Sequence, residues 1–295
     1  MNLKIWPILL CIVLIFLLLK FPEVTHEGAD LGVSLFMEAL FPYLLPYLIL
    51  TNWFIRLTSS PQQNSLFLLF KTYAISAIGG FPTGAATIAH LYKRGSFTPK
   101  QASYLLGICH CPSPLFVFGF VGQDVLQSTS FSWQYLILLH IFSLCVLAIM
   151  YKRVFKKTNN PLVKPLPEEG EPFTNSIRDS VPTILIVAAT IIFFTTIYSV
   201  FLHSTQWLFP SLPHYFEVIM ACALEYTNGL FLLPSQLYGN SLFLAAALIL
   251  TTQSFSIHLQ VIVISRTAKI AIRPYLFIRL IYSIIIPILF ALLFL

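Results

Sequence analysis

Polar and helix-breaking residues that are suited to bind a substrate or an ion interrupt apolar stretches of the sequence at four points. Every backbone N–H and C=O group in hydrocarbon needs a partner, so breaks at membrane depth are tolerated only under protein cover or beside a wet cavity. The four breaks therefore mark a candidate binding site. They are the segments 79–84, 109–114, 225–229 and 251–256.

Glu225 is the most informative single residue of these breaks. A carboxylate at a break inside the membrane is costly and is usually functional, through cation coordination, proton coupling or hydrogen bonding to a substrate. The alternative is a shallow segment in which Glu225 meets external water. Glu38 lies near the edge of its apolar span, where a carboxylate can reach water, and it is the weaker candidate.

Two histidines, His110 and His258, lie at comparable places on two broken spans and form a candidate proton relay, with packing histidines as the alternative. Cys109 and Cys111 flank His110, and thiolate and imidazole together suit soft metal ions. The Cys-x-Cys pattern lacks the second ligand pair of a structural zinc site, so we expect no metal and keep these cysteines as an alternative.

The composition excludes an ordinary soluble domain. The 295 residues are 57% hydrophobic and 9% charged, with a mean hydropathy of +0.83, which is typical of a polytopic membrane protein. Seventeen Lys and Arg against eleven Asp and Glu give a net charge of +6. In such a chain this excess indicates orientation and contact with anionic lipid, and we expect no nucleic-acid partner. Hydrolase, zinc-protease and phosphate-loop motifs are absent, so we expect neither an enzyme nor a cofactor.

Apolar length predicts an all-α membrane protein with about seven transmembrane helices and two re-entrant helical hairpins. A full crossing takes about 20 apolar residues, and the halves of two interrupted stretches are too short to cross alone. The predicted crossings are 3–21, 32–54, 102–122, 133–151, 180–202, 241–264 and 275–295, and the predicted hairpins are 65–92 and 213–238.

The distribution of basic residues predicts the orientation. With a cytoplasmic N-terminus and an external C-terminus, all of the 17 Lys and Arg except Lys20 fall at cytoplasmic ends, as the positive-inside rule requires. This layout counts Arg279 among the cytoplasmic charges. It also favours a hairpin at 65–92, because a single crossing there would move Lys93, Arg94 and Lys100 to the other side.

A basic and proline-rich segment, 152–177, is predicted to be a cytoplasmic linker between two similar halves. Phe41-Pro42 in the first half has a counterpart in Val181-Pro182 in the second, and each half then runs through a broken hairpin and a broken span. The halves begin with the second and the fifth predicted crossings, which are three crossings apart. Because this number is odd, the two halves have opposite orientations in the membrane, which predicts inverted repeats. Inverted repeats with discontinuous helices are typical of secondary transporters.

Four ordered motifs resemble the YlbJ (SpoVV) family of sporulation integral membrane proteins. They are Gly79-Gly80-Phe81-Pro82-Thr83-Gly84-Ala85, Cys109-His110-Cys111-Pro112-Ser113-Pro114-Leu115-Phe116, Leu224-Glu225-Tyr226-Thr227-Asn228-Gly229 and Ser256-Ile257-His258-Leu259-Gln260. The resemblance implies two nucleoside-recognition "Gate" domains, distantly similar to concentrative nucleoside transporters. It also implies transport of a small anionic metabolite, dipicolinic acid, into the developing spore. The family tends to show Cys-Asn-Asn-Pro-Gly-Pro at the second motif, so this chain lacks both of those amides.

The resemblance also implies a division of the chain and a location. The location is the cytoplasmic membrane of a bacterium, or its forespore membrane. The units are 1–29 (first transmembrane helix and outer loop), 30–123 (first Gate repeat), 124–151 (connecting transmembrane helix), 152–177 (linker), 178–266 (second Gate repeat) and 267–295 (C-terminal transmembrane helix).

We therefore predict a secondary transporter for a small polar metabolite, with an anionic, dipicolinate-like or nucleoside-like substrate favoured and H⁺ or Na⁺ as the coupling ion. The alternatives are a non-transporting assembly factor of the Gate fold and a metal-ion permease, since ferrous-iron permeases also carry Gate domains with intramembrane cysteines. The predicted partners are the lipid bilayer and a small-molecule substrate, and a homo-oligomer is kept as an alternative to a monomer. The predicted binding residues are Gly80, Pro82, Thr83, Gly84, Pro112, Ser113, Glu225, Thr227, Asn228, Gly229, Ser254 and Ser256.

Overall fold

The computed structural model describes residues 5–58, 65–155 and 170–295, and this part of the chain contains helices and no strand. The predicted all-α polytopic membrane fold is confirmed. Most of the predicted linker, 156–169, lies outside the described residues. The helices are α1 (Ile5–Lys20), α2 (Pro22–Ser34), α3 (Phe41–Thr58), α4 (Ser65–Gly79), α5 (Thr83–Lys93), α6 (Pro99–Ile108), α7 (Pro114–Phe116), α8 (Thr129–Met150), α9 (Pro172–Leu208), α10 (His214–Leu224), α11 (Tyr226–Leu232), α12 (Gly239–Thr252), α13 (Phe255–Thr267) and α14 (Arg273–Phe294), with π-helical segments at Leu35–Leu40, Val117–Val125 and Tyr151–Phe155 and a 3₁₀ turn at Leu233–Ser235.

Fewer helices of the described residues have membrane-spanning length than the seven predicted. Four are long and apolar enough, and there are five if the pair Ile5–Lys20 and Pro22–Glu38, bent by 101°, counts as one span. The predicted crossing 32–54 lies within one continuous helical run from α2 to α3, and the predicted crossing 102–122 is divided at 109–113. The four long helices are Thr129–Phe155, Pro172–Leu208, Gly239–Thr267 and Arg273–Phe294.

The same order of elements occurs in both halves of the chain. A long proline-containing helix (α2–α3 or α9) is followed by a helix pair (α4–α5 or α10–α11), a broken span (α6–α7 or α12–α13) and an apolar helix (α8 or α14). The two long helices pack against each other along α2, α3 and α9. A Cβ atom on Gly32 would lie 2.7 Å from the Ile192 backbone, so glycine is what allows this close helix approach. The inverted relation of the halves stays a prediction.

Both helix pairs double back on themselves. A Cβ atom on Gly84 would lie 3.1 Å from the Ser76 side chain, and one on Gly229 would lie 2.5 Å from the Cys222 backbone. Residues seven or eight apart in a continuous helix are about 10–12 Å apart along the axis. The stretches around Gly80 and Glu225 are therefore helical hairpins, as their glycine breaks predict.

The two broken spans are interrupted by different backbone devices. Cys109 ends α6, and the Ser113 hydroxyl then caps α7 by accepting a bond from the Phe116 N–H at 3.2 Å. Gln253 joins α12 to α13 with φ 66° and ψ 175°. Only glycine adopts this region readily, so a glutamine there stores roughly 1–3 kcal/mol of backbone strain. Such strain typically occurs at functional sites.

Candidate functional site

The four breaks lie against one another in the interior, and together we call them the junction (79–84, 109–114, 225–229 and 251–256). The Phe81 ring at the first hairpin tip lies 5.2 Å from the His110 ring and 5.5 Å from the Tyr226 ring of the second hairpin. His110 Nε2 and Gln253 Oε1 are 2.7 Å apart, which joins the two broken spans. The structure thus brings together segments that are far apart in the sequence.

The predicted residues of the first half sit at close range. A Cβ atom on Gly80 would lie 2.6 Å from the Ser113 N atom, and one on Gly84 would lie 2.5 Å from the Cys109 carbonyl oxygen. Pro82 is the N-cap residue of α5, and the Thr83 hydroxyl bonds the Gly79 carbonyl at 3.2 Å. Pro112 is buried within the second break. The first hairpin tip and this break therefore form one packed unit.

Arg279 lies inside the junction, which differs from the cytoplasmic end that the orientation rule assigns to it. Its side chain is 3% exposed, one guanidinium nitrogen donates to the His110 carbonyl at 2.9 Å, and another donates to the Thr251 carbonyl. The Thr251 carbonyl is in the last turn of α12, and the His110 carbonyl directly follows the cap of α6. Helix C-termini carry partial negative charge and unpaired C=O groups, which favours a cation there. Arg279 therefore ties one half-helix from each half of the chain. The sequence signal was present, since an arginine within an apolar 22-residue helix is a functional candidate by default.

Glu225 is the N-cap residue of α11 and is 1% exposed, so it does not reach bulk water in this structure. Its carboxylate accepts bonds from the Asn228 N–H at 3.1 Å and the Thr227 hydroxyl at 3.3 Å. The Asn228 amide in turn donates to Thr195 on α9 at 3.3 Å. A carboxylate at this place satisfies the free N–H groups and the dipole of the helix start. The α11 N-terminus is thus filled by the protein's own anion, and an anionic substrate group would have to bind elsewhere.

Several buried polar side chains at and beside the junction carry an atom that has no hydrogen-bond partner among the described residues. They are at most 1% exposed, apart from Gln253 at 6%. Leaving a buried polar group unpaired costs about 1–3 kcal/mol, and such groups in native proteins are usually met by water or a ligand. The unpaired atoms belong to Thr87, His110 (Nδ1), Gln253 (Nε2), Ser254, Ser256 and Gln260.

These unpaired groups extend the site beyond the residues predicted from the sequence. Helix α5, which carries Thr87, packs against α13, which carries Ser256 and Gln260 one turn apart. Sequence reasoning selected Ser254 and Ser256 and missed Thr87, Gln253 and Gln260. The i, i+4 spacing of Ser256 and Gln260 was the available signal, because it places both on one helix face.

The two histidines flank Tyr275 on α14. His258 Nδ1 lies 2.7 Å from the Tyr275 hydroxyl and its Nε2 lies 3.0 Å from the Thr252 carbonyl. The His110 ring is 5.5 Å from the Tyr275 ring. A tyrosine thus stands between the two imidazoles, and the proton relay stays a prediction. Cys109 and Cys111 are buried free thiols, and the part of the chain that the structure describes holds no group of three or more metal-binding side chains around them.

A cleft of about 300 Å³ adjoins the junction. Four residues, Gly79, Phe81, Ser113 and Tyr226, belong to both. The remaining lining residues are Glu38, Leu40, Leu44, Tyr47, Leu115, Phe116, Gly119, Phe120, Gln123 and Asp124.

A comparison with curated proteins supports the resemblance predicted from the motifs. The chain is 27% identical over 152 residues to the sporulation integral membrane protein YlbJ of Bacillus subtilis (strain 168). The match covers 44% of this chain and 36% of that protein, so the chain spans only about a third of the relative's length in the match. The similarity to a YlbJ-type protein is confirmed. No family model and no solved structure matches the chain.

Proposed function

We propose that this protein is a secondary transporter that binds a small polar metabolite at the junction, in the cytoplasmic or forespore membrane of a bacterium. The observation that carries the proposal is the set of unpaired, fully buried polar groups where the broken helices of both halves meet. Discontinuous helices at repeat interfaces form the substrate sites of many secondary transporters. The similarity to a sporulation membrane protein supports a membrane role without naming a substrate.

The chemistry of the junction favours a substrate with an anionic or carbonyl group. The Ser254 and Ser256 hydroxyls and the Gln253 and Gln260 amides are available donors, and the buried guanidinium of Arg279 adds a permanent positive charge. Ser254 is the N-cap residue of α13, and its side chain forms no capping hydrogen bond. The α13 N-terminus therefore remains suited to an anion, unlike that of α11. A dipicolinate-like or nucleoside-like metabolite fits these donors.

A binding experiment with a stability control tests the site. Ser256→Ala removes a hydroxyl that has no partner among the described residues, so the variant should be as stable as the wild type or more so. The same change should weaken substrate binding by about 2- to 12-fold, the equivalent of one lost neutral hydrogen bond. Ser211→Ala, at an exposed position between α9 and α10, is the control and should change neither property. Equal affinity of Ser256→Ala and wild type for every ligand found would place the substrate elsewhere.

Flux measurements test the transport claim itself. Purified protein in liposomes should accumulate a dicarboxylate or a nucleoside under an imposed proton or sodium gradient. Glu225→Gln keeps an acceptor for the α11 N-terminus but removes the charge, so it should abolish the gradient dependence while the protein stays folded. Binding without flux under any gradient would contradict the transporter proposal and favour a non-transporting assembly factor.

A further inference from the structure

The cleft beside the junction has the size and shape of a ligand site. Its volume of about 300 Å³ lies at the lower end of the range for small-molecule pockets. Its lining residues come from the start of α3, from α7 and the π-helical segment that follows it, and from the two hairpin tips. A Cβ atom on Gly119 in that segment would meet no atom within 4 Å. The absence of a side chain there therefore leaves room for an occupant.

Aromatic rings form much of the lining. The Tyr226 ring lies 5.3 Å from the Phe116 ring at an interplanar angle of 36°, and 5.5 Å from the Phe81 ring at 66°. Phe120 lies 5.2 Å from Phe116, and Tyr47 faces the cleft from α3. The faces of aromatic rings are electron-rich and attract cations, and groups of such rings bind quaternary ammonium ligands.

Two carboxylates, Glu38 and Asp124, line the same cleft, and neither forms an ion pair with a residue that the structure describes. No Lys or Arg occurs among the lining residues. Each carboxylate lies in a π-helical segment, Leu35–Leu40 or Val117–Val125, and π-helical turns occur frequently at functional sites. Both carboxylates are exposed, so they attract a cation through solvent-screened charge, and the aromatic walls supply the closer contacts.

We propose that this cleft binds a small organic cation, with its ammonium group against the partly exposed rings of Tyr47, Phe116 and Phe120 and its charge balanced by Glu38 and Asp124. The proposal goes beyond the transport function and does not depend on it. Binding in the cleft requires neither flux nor a gradient. A failed flux experiment and a failed cation-binding experiment are therefore separate results.

The experiment uses the full chain in dodecyl maltoside, a detergent without charge, and follows thermal unfolding with choline as the probe. A ligand that binds only the folded state raises the unfolding midpoint in a concentration-dependent way. The matched neutral probe is 3,3-dimethylbutan-1-ol, which has the shape of choline without its charge. Choline should raise the midpoint and the neutral alcohol should not. Sodium chloride at equal ionic strength is the third arm, and it also should not.

Variants locate the binding in the cleft. The double variant Glu38→Gln with Asp124→Asn should weaken choline binding about tenfold, the effect of roughly 1.4 kcal/mol. Gly119→Leu keeps both charges but fills the cleft, and it should abolish binding. Asp30→Asn, a carboxylate on α2 that lies outside the cleft and is 68% exposed, is the control and should bind choline as the wild type does.

Three outcomes would overturn the proposal. Equal stabilisation by the neutral alcohol would show an apolar pocket with no preference for charge. Equal stabilisation by sodium would show an inorganic cation site. Choline binding that survives both the double variant and Gly119→Leu would place the cation outside the cleft. Each variant is first shown to unfold cooperatively without ligand, so that a loss of binding cannot be read as a loss of the fold.

Discussion

Replacing Arg279 tests how the two broken helices are held together in the interior. The guanidinium donates to the His110 carbonyl, just beyond the end of α6, and to the Thr251 carbonyl in the last turn of α12. Each hydrogen bond from a charged donor contributes about 1.5–3 kcal/mol, or roughly 3–6 kcal/mol for the pair. Glutamine avoids the cost of burying a charge in the membrane, which is roughly 2.5–3.5 kcal/mol. The midpoints of these two ranges differ by about 1.5 kcal/mol, so Arg279→Gln should destabilise the folded protein by about 1–2 kcal/mol.

A lysine variant separates charge from geometry. Arg279→Lys keeps the buried charge but replaces the planar fork with a single ammonium, which is poorly shaped to bridge two carbonyls. It should therefore be at least as unstable as the glutamine variant. Arg273→Gln, at the exposed start of the same helix, is the matched control and should change stability by no more than about 0.5 kcal/mol.

Two buried thiols beside the His110 carbonyl, which accepts a bond from Arg279, allow a direct assay of junction opening. Cys109 and Cys111 are at most 1% exposed and flank His110. With the other three cysteines replaced by serine, a thiol-reactive fluorophore should label them only when the junction opens on heating. Arg279→Gln and Arg279→Lys should be labelled at a temperature several degrees lower than the wild type. A lysine variant with the wild-type midpoint would refute the bridging argument, and so would a glutamine variant with that midpoint.

Three further predictions address the hairpin, the strained break and the tie between the long helices. Gly229→Ala would place a Cβ atom 2.5 Å from the α10 backbone, whereas Gly119→Ala meets nothing within 4 Å. The first variant should lower the free energy of unfolding by about 1–3 kcal/mol and the second should leave it almost unchanged. Equal shifts in the unfolding midpoint would contradict this. Gln253→Gly relieves positive-φ strain but removes the side chain that lies 2.7 Å from His110. Thermal unfolding should therefore show equal or higher stability, while substrate affinity falls. A lower stability of this variant would contradict the strain at Gln253. Asp179→Asn removes the ion pair between α3 and α9, in which the Arg56 side chain is 4% and the Asp179 side chain 48% exposed. Because the guanidinium is buried, stability should fall by about 1–3 kcal/mol, and an unchanged midpoint would contradict this. The salt dependence of the unfolding midpoint should also weaken, and a variant with the wild-type salt dependence would count against this role of the ion pair.

The breaks were predictable from the sequence because they depend on local chemistry. Gly80, Pro82 and Pro112 interrupt helices through their own backbone properties, whatever surrounds them. The hairpins followed from the same logic, since their halves are too short to cross a bilayer. The bounds of the helices were less predictable, because a run of apolar residues does not reveal whether it continues a neighbouring helix, as 32–54 does.

Glu225 and Arg279 show why single charges were harder to interpret. The sequence indicated that a carboxylate at a break is important, and the structure adds that it caps α11. The orientation rule counted Arg279 by its order along the chain, and order carries no information about depth. A basic residue near a helix end and one that holds two carbonyls in the interior look the same in a charge count.

The sequence by itself determined the all-α membrane class and the places where its helices break, because hydrocarbon imposes backbone constraints that act within a single segment. Only the tertiary structure decided which breaks meet. The bond between His110 and Gln253 joins residues 143 apart, and the absence of described partners for Ser256 and Gln260 depends on everything packed around them. The cleft also exists only in the tertiary structure, since Glu38, Asp124 and Tyr226 come from three separate parts of the chain. Side-chain partners are chosen by packing in three dimensions, and no local pattern in the sequence records that choice.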